Sequence, residues 1–354
     1  MSTTAERDAL AAALTYPLGD TLPATGSVHW LAPDVGWLRM PLPFALDHIN
    51  LWLLRDGAGW AIVDSGVATA ATREAWEQIF AHELQGLPVR RVLATHCHPD
   101  HIGLADWLCQ RWQVALWTSA GEYAFARMMS AALPGVDNAA AVAHFQRHGL
   151  RDPVLLEQMS ARKNYYPSLV PAVPVSYTRL QDGQLLTIGT RVWQVVCGYG
   201  HSPEHVALYC EKDKLLIAGD MVLPRISTNV SVFAIEPEAN PLTRYLESLD
   251  KFAKWPNDVL VLPSHGKPFQ GLHQRIIQLR EHHRDRLAEV LQACHTGQSA
   301  ASIVPLMFRR PLDAHQLSFA LGEALAHLHA LWYDGVLQRS VEADGSVLFR
   351  RAAD

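Results

Sequence analysis

Thr95-His96-Cys97-His98-Pro99-Asp100-His101 follows directly on the apolar run Val92-Leu93-Ala94. Four side chains able to ligate a metal fall within six residues. In an extended segment alternate side chains share a face, so His96 and His98 can converge on one ion. Pro99 forces a turn that re-aims Asp100 and His101 toward a second position. Imidazoles with a carboxylate suit zinc or another first-row metal, and a purely structural zinc more usually recruits thiolates. The stretch therefore points to a catalytic metal rather than to solvent-exposed histidines in a polar turn.

Upstream, strand-like runs at 36–40, 50–55 and 60–63 precede helix-type spacing over 71–84 and a strand over 89–94 that delivers the histidines. Gly57-Ala58-Gly59 reads as a hairpin turn. Asp64, at the end of the third run, is expected either to orient a metal ligand or to cap the next helix. Downstream come a helix over 104–112 and a short strand over 115–117. Residues 120–176 then change character, with helical stretches at 121–133, 139–148 and 154–162 that read as an inserted helical subdomain beside the metals. Its Met128, Met129, Phe145 and Met159 are expected to be packing residues. Strand signals resume at 184–188, 191–196, 206–210 and 215–218. Two of these runs end in chemistry, one in the glycine-rich loop 197–205 that carries His201, the other at Gly219-Asp220. A third case is Pro263-Ser264-His265-Gly266, after the apolar run 259–262. Residues at the ends of separate strands can meet at one edge of a sheet, and seven ligands suffice for two ions with positions left for water and substrate.

Composition bounds what surrounds this site. A chain of 354 residues, 49% hydrophobic, can bury a full core, and its length suggests two domains or one large domain with an appendage. Residues 1–27 read as a weakly structured or helical lead-in. A net charge of −5 gives no general attraction to nucleic acid or anionic membrane. Five scattered cysteines without CxxC spacing argue against a disulfide framework. With neither a signal-peptide pattern nor a long apolar run, the expected location is the cytoplasm, with no membrane association.

The THxHxDH form of residues 95–101, followed in order by His201, Asp220 and His265, resembles the metallo-β-lactamase-fold hydrolase superfamily. The resemblance implies an α/β fold over 28–270, an αββα sandwich of two β-sheets between outer helices, interrupted by the helical insertion. It implies that His96, His98 and His201 hold one metal, that Asp100, His101 and His265 hold the other, and that Asp220 bridges them. Two divalent ions are expected, zinc first and manganese or iron as alternatives. Asp64 corresponds to the aspartate of the family's early strand-end motif. A hydroxide shared by two cations is available at neutral pH, and one metal polarises the scissile carbonyl. Asp100 is the expected catalytic residue, orienting the nucleophile and carrying a proton to the leaving group. His205, Tyr199, Arg225 and Asn229 are candidates for substrate contact or for supporting the ligands. The expected substrate is a small ester-like acyl compound, a thioester first because glyoxalase II-like enzymes share this ligand set, a lactone next. Class B β-lactamases are exported and usually depart from this set at the second site. Mononuclear iron oxygenases of the same fold generally lack part of it.

From Gly271 onward, Leu272, Ile276, Leu279, His283, Leu287 and Val290 recur at helical intervals. Two more helices, 300–308 and 312–333, precede a hairpin of 336–341 and 346–350 around Asp344-Gly345. Helices followed by a terminal hairpin resemble the small winged-helix domain of the branch that includes the mitochondrial endoribonuclease β-lactamase-like protein 2. That resemblance implies a separate domain over 271–354 and raises an endoribonuclease or phosphodiesterase as an alternative. Nine Arg and no Lys are balanced there by nine Asp plus Glu. A basic nucleic-acid surface is thus not indicated, and a packing or homodimerisation module that walls the active site is preferred.

Overall fold

The computed structural model describes residues 13–44, 46–161 and 165–352. The first twelve residues of the expected lead-in, and Arg162 at the end of the third expected insertion helix, lie outside the described residues. Two sheets form the centre. The first runs in the order β1 (His29–Ala32), β2 (Val35–Pro41), β3 (His48–Arg55), β4 (Trp60–Val63), β5 (Val89–Leu93), β6 (Leu116–Thr118), β7 (Tyr177–Arg179). It is antiparallel as far as β4 and parallel from β4 onward. The second sheet begins with β8 (Leu185–Ile188), β9 (Arg191–Gly198) and β10 (His205–Cys210), and ends with β11 (Leu215–Gly219) beside β12 (Leu260–Pro263).

The strand period of two assigns each face to a different core. Trp37 of β2, Trp52 and Leu54 of β3, and Ala61 and Val63 of β4 point between the sheets, where they meet Trp193, Val195, Val206, Leu208 and Ile217. The intervening Leu38, Leu51, Leu53 and Ile62 point outward onto Trp76 and Ile79 of the helix Ala70–His82. On the second sheet Ala207, Tyr209, Leu216 and Ala218 point the other way, onto Tyr245, Leu249 and the C-terminal helices. Strands buried on both faces with helices outside give the αββα sandwich expected from the resemblance.

The helix Pro241–Phe252 is absent from the sequence reading, although Leu242, Tyr245, Leu249 and Phe252 keep helical spacing and all are buried. Strands β1 and β7 were also not anticipated; they are short edge elements of four and three residues. The insertion holds the helices Ala120–Ser130, Asn138–Arg147, Pro153–Ala161 and Tyr165–Leu169. Phe145 and Met159 are buried against the C-terminal helices, and Met129 packs on the first sheet's outer core. The chain ends in the helices Leu272–Ala293, Ala300–Met307 and Ala314–Tyr333 and a hairpin of β13 (Leu337–Val341) and β14 (Val347–Arg351). Leu321, Leu325, Leu328, Val347 and Phe349 of this part belong to the same core as the outer face of the second sheet. Among the described residues no helix is long and apolar enough to cross a membrane.

Candidate metal centre

The donors stand just past the ends of four strands. His96 and His98 follow β5, and the one-turn helix Pro99–Ile102 carries Asp100 and His101. His201 follows β9, Asp220 follows β11 and His265 follows β12. Their ligating atoms fall into two groups, His96, His98, His201 and Asp220 in one, Asp100, His101 and His265 in the other.

In the first group His96 Nε2 lies 2.9 Å from His98 Nδ1 and 3.2 Å from His201 Nε2, and His201 Nε2 lies 3.4 Å from Asp220 Oδ2. In the second, His265 Nε2 is 3.4 Å and His101 Nε2 3.7 Å from Asp100 Oδ2. Asp220 Oδ1 faces this group, 3.5 Å from His101 Nε2 and 3.6 Å from His265 Nε2. Donors about 2.0–2.1 Å from a tetrahedral zinc stand about 3.3 Å from one another, so these separations suit such an ion. Two of the atoms, His101 Nε2 and Asp220 Oδ1, are buried without a hydrogen-bond partner among the described residues, which is costly unless something else binds them.

The ring protons are set by fixed acceptors. His201 Nδ1–H donates to the Asn229 carbonyl (2.7 Å), His265 Nδ1–H to the His48 carbonyl (2.8 Å) and His101 Nδ1–H to Asp64 Oδ2 (2.9 Å). Carbonyl and carboxylate oxygens only accept, so each Nε2 is left to ligate. Asp64 does more than meet His101. Its Oδ1 accepts Thr95 N–H (2.7 Å) and its Oδ2 the Thr95 hydroxyl (2.9 Å), whose oxygen stands 3.1 Å from His96 Nδ1. The backbone of Asp64 is left-handed, with φ 64°, a conformation that aspartate tolerates better than most residues. Thr69, not Asp64, caps the following helix.

Burial opposes charge on His101, yet Asp100, Asp64 and Asp220 around it hold its imidazole up to about 10. Burial alone would raise Asp100, and His101 and His265 bring it down to about 2. His96 and His98 lack such a surplus of carboxylates, and burial pushes His96 well down and His98 to about 3. The carboxylates thus favour positive charge where a cation would supply it.

Several supports were not anticipated. Glu122 is fully buried in the first turn of the helix Ala120–Ser130. Its Oε2 accepts Cys97 N–H (2.8 Å), and its Oε1 accepts the Ser202 hydroxyl (2.7 Å) and Glu204 N–H (2.6 Å). One carboxylate therefore ties the loop of His96 and His98 to the loop of His201. Tyr166 donates its hydroxyl to the Cys97 carbonyl from the other side. His48 accepts Gly266 N–H at Nε2 (3.0 Å), and Asn50 Nδ2–H groups donate to the Pro263 and Gly266 carbonyls (2.8 Å each), fixing the His265 loop to β3. Ser119 followed three residues later by Glu122 is legible as a helix start, but nothing local says that the glutamate clamps two distant loops.

Of the remaining sequence candidates, His205 is buried behind the donors, its Nε2 accepting Asp220 N–H (3.1 Å). Asn229 serves through its carbonyl on His201, while its Oδ1 accepts the Ser231 hydroxyl. Tyr199 and Arg225 are not brought to the cluster. The Tyr199 ring lies 5.2 Å from Lys251 Nζ and its N–H donates to Ser248 on the helix Pro241–Phe252. Arg225 is exposed, and its charge reaches Tyr16.

Comparison with known proteins agrees with this geometry. A family model described as the metallo-beta-lactamase superfamily matches residues 45–265, and one described as a metallo-beta-lactamase-like C-terminal domain matches 287–352. A probable metallo-hydrolase of Bacillus subtilis (strain 168), YqjP, is 24% identical over 326 residues, 84% of this chain and 92% of that protein. The crystal structure of a beta-lactamase domain protein from Burkholderia ambifaria is 58% identical, covers 97% of this chain and 100% of that one, and superposes with a TM-score of 0.92. A metallo-beta-lactamase family protein from Thermus thermophilus is 29% identical, covers 91% and 100%, and gives 0.75.

Proposed function

The chain belongs to the metallo-beta-lactamase superfamily and is a metal-dependent hydrolase, and we propose that it works with two divalent ions, zinc first, on a small ester-like acyl substrate, a thioester before a lactone. One observation carries the two-ion reading. Asp220 turns Oδ2 to one donor group and Oδ1 to the other, at 3.4 Å from His201 Nε2 and 3.5 Å from His101 Nε2. A single ion would engage only one of those faces.

When bound, the ions would supply a water of lowered pKa and polarise a substrate carbonyl. The residues of the chain supply the rest. Asp64, Thr95, Asn229 and His48 keep the imidazoles of His101, His96, His201 and His265 in the ligating tautomer. Asp100 combines contact with His101 and His265 with a side chain still 18% exposed. That combination supports Asp100 as the group that orients the attacking water and passes its proton to the leaving thiolate or alkoxide. Arginines and acids balance in 271–354, which gives no support to a nucleic-acid substrate.

The test is thiol release from acyl-CoA and acylglutathione thioesters by metal-loaded protein, beside a folded Asp220→Ala variant and with metal content measured on both. We expect about two ions per wild-type chain and turnover that disappears in the variant. One ion per chain refutes the dinuclear reading. Turnover that survives Asp220→Ala refutes the site, and turnover of lactones alone corrects the substrate.

A further inference from the structure

Three of the elements that brace the donors also carry aromatic rings, and those rings meet. Phe44 lies in the 42–47 loop, closed by Leu42 N–H on the Asp47 carbonyl (2.9 Å), which leads into His48 and so to His265. Its ring centroid is 6.1 Å from Tyr165. Tyr165 opens the short helix that packs on the Pro99–Ile102 turn and whose Tyr166 holds Cys97. From Tyr165 the row continues to His315 (5.3 Å) and Phe319 (5.1 Å) on the helix Ala314–Tyr333. One turn further on that helix, the Gly322 carbonyl accepts Val232 N–H and seats the loop whose Asn229 holds His201.

The row is anchored to three supports of the donors, and its rings keep some exposure. Leu321, Leu325 and Leu328 of the same helix are fully buried, whereas Phe319 is 41% exposed and Phe44, Tyr165 and His315 are half-buried. The donors that themselves keep some exposure are His98 and Asp100, on the segment against which the Tyr165 helix packs. An aromatic row packed on the supports of a few convergent polar groups suits a ligand with a polar reacting end and an apolar tail.

Resting on the acyl-hydrolase reading above, we infer that Phe44, Tyr165, His315 and Phe319 form the subsite for the acyl chain, and that the enzyme favours extended aliphatic or aryl acyl groups over acetyl-sized ones. The polar head of the chain is the carbonyl at the donors; the tail lies along the rings. Burying a methylene on such a wall strengthens binding up to about fourfold.

A series of straight-chain carboxylates, acetate to decanoate, titrated calorimetrically into zinc-loaded protein tests this without requiring turnover. In the wild type, affinity should rise about two- to fourfold per methylene. In Phe319→Ala, octanoate should weaken at least about fivefold more than acetate; Phe44→Leu, which keeps the loop filled, should show a smaller loss of the same kind. Affinity independent of chain length in the wild type overturns the subsite, as does equal weakening of acetate and octanoate in both variants, the mark of rings that only join three elements. The two readings fail separately. A chain-length series that holds while no thioester or lactone is cleaved removes the acyl-hydrolase reading, and turnover without chain-length dependence removes the subsite.

Discussion

Replacing Glu122 by glutamine changes no volume and removes one acceptor, which isolates its clamp between the two histidine loops. The amide oxygen can keep the bonds from the Ser202 hydroxyl and Glu204 N–H that now go to Oε1. The amide NH2 must then face Cys97 N–H, donor against donor, where Oε2 now accepts at 2.8 Å. Turning the amide over restores the Cys97 N–H bond and lets the Ser202 hydroxyl accept from NH2, but sets that NH2 against Glu204 N–H, so one donor–donor conflict remains in either orientation. A lost hydrogen bond to a buried charged group costs about 1.5–3 kcal/mol, and the two survivors, no longer charge-assisted, weaken by a further few tenths each, so the total is about 3 kcal/mol. Part of this falls on folding and part on the geometry of His96, His98 and His201. Residues that orient ligands typically change metal affinity by about 10–100-fold. Zinc affinity measured by chelator competition, together with urea unfolding of the metal-free protein, separates the two shares. Unchanged zinc affinity, within about twofold, alongside a loss of metal-free stability would refute the clamp and leave Glu122 as scaffold.

Gly322→Ala should weaken zinc binding severalfold from outside the donor set. Its new Cβ would meet Ser231 Cβ at 2.8 Å, and relieving that overlap, at about 1–3 kcal/mol, shifts the loop on which Asn229 holds His201; a variant with wild-type affinity and melting temperature contradicts this. Acid should destabilise the protein through histidines outside the donor set. Burial, its largest cause, brings His144 down to about 4, His148 to about 3 and His327 to about 4. Below about 6.5 the unfolded chain takes up protons that these folded imidazoles refuse, so stability is lost as pH falls from 6.5 toward those values, by up to about 1.4 kcal/mol per pH unit for each. His148→Leu should reduce the proton uptake on unfolding at pH 5 by about one; an unchanged pH slope of unfolding free energy would show that His148 is not held neutral.

The centre was legible because its densest part is contiguous. Four potential ligands in six residues after an apolar strand define chemistry without any knowledge of contacts, and the later histidines and aspartate each mark a strand end. Asp64 was half legible: its place after β4 was plain, but only the fold chose its bonds to Thr95 and His101 over a cap that Thr69 supplies. Glu122, His48 and Asn50 act on residues 25 to 218 positions away, a separation at which local pattern carries no information. The helix Pro241–Phe252 lies outside the sequence reading although its buried face keeps the helical period. Tyr199 and Arg225 show the converse, since nearness in sequence to a ligand at a strand end does not place a side chain on the ligand's side.

The seat that Gly322 gives to the 227–232 loop ties the metal centre to the order in which the chain is made. His201 is complete only when Asn229 is held, and that loop is held by a helix synthesised well after every donor. A nascent or prematurely terminated chain that lacks residues 314–354 has all seven donors but not the support for one of them. Such a fragment is expected to bind a metal ion more weakly than the full chain, because the acceptor that orients His201 is no longer held.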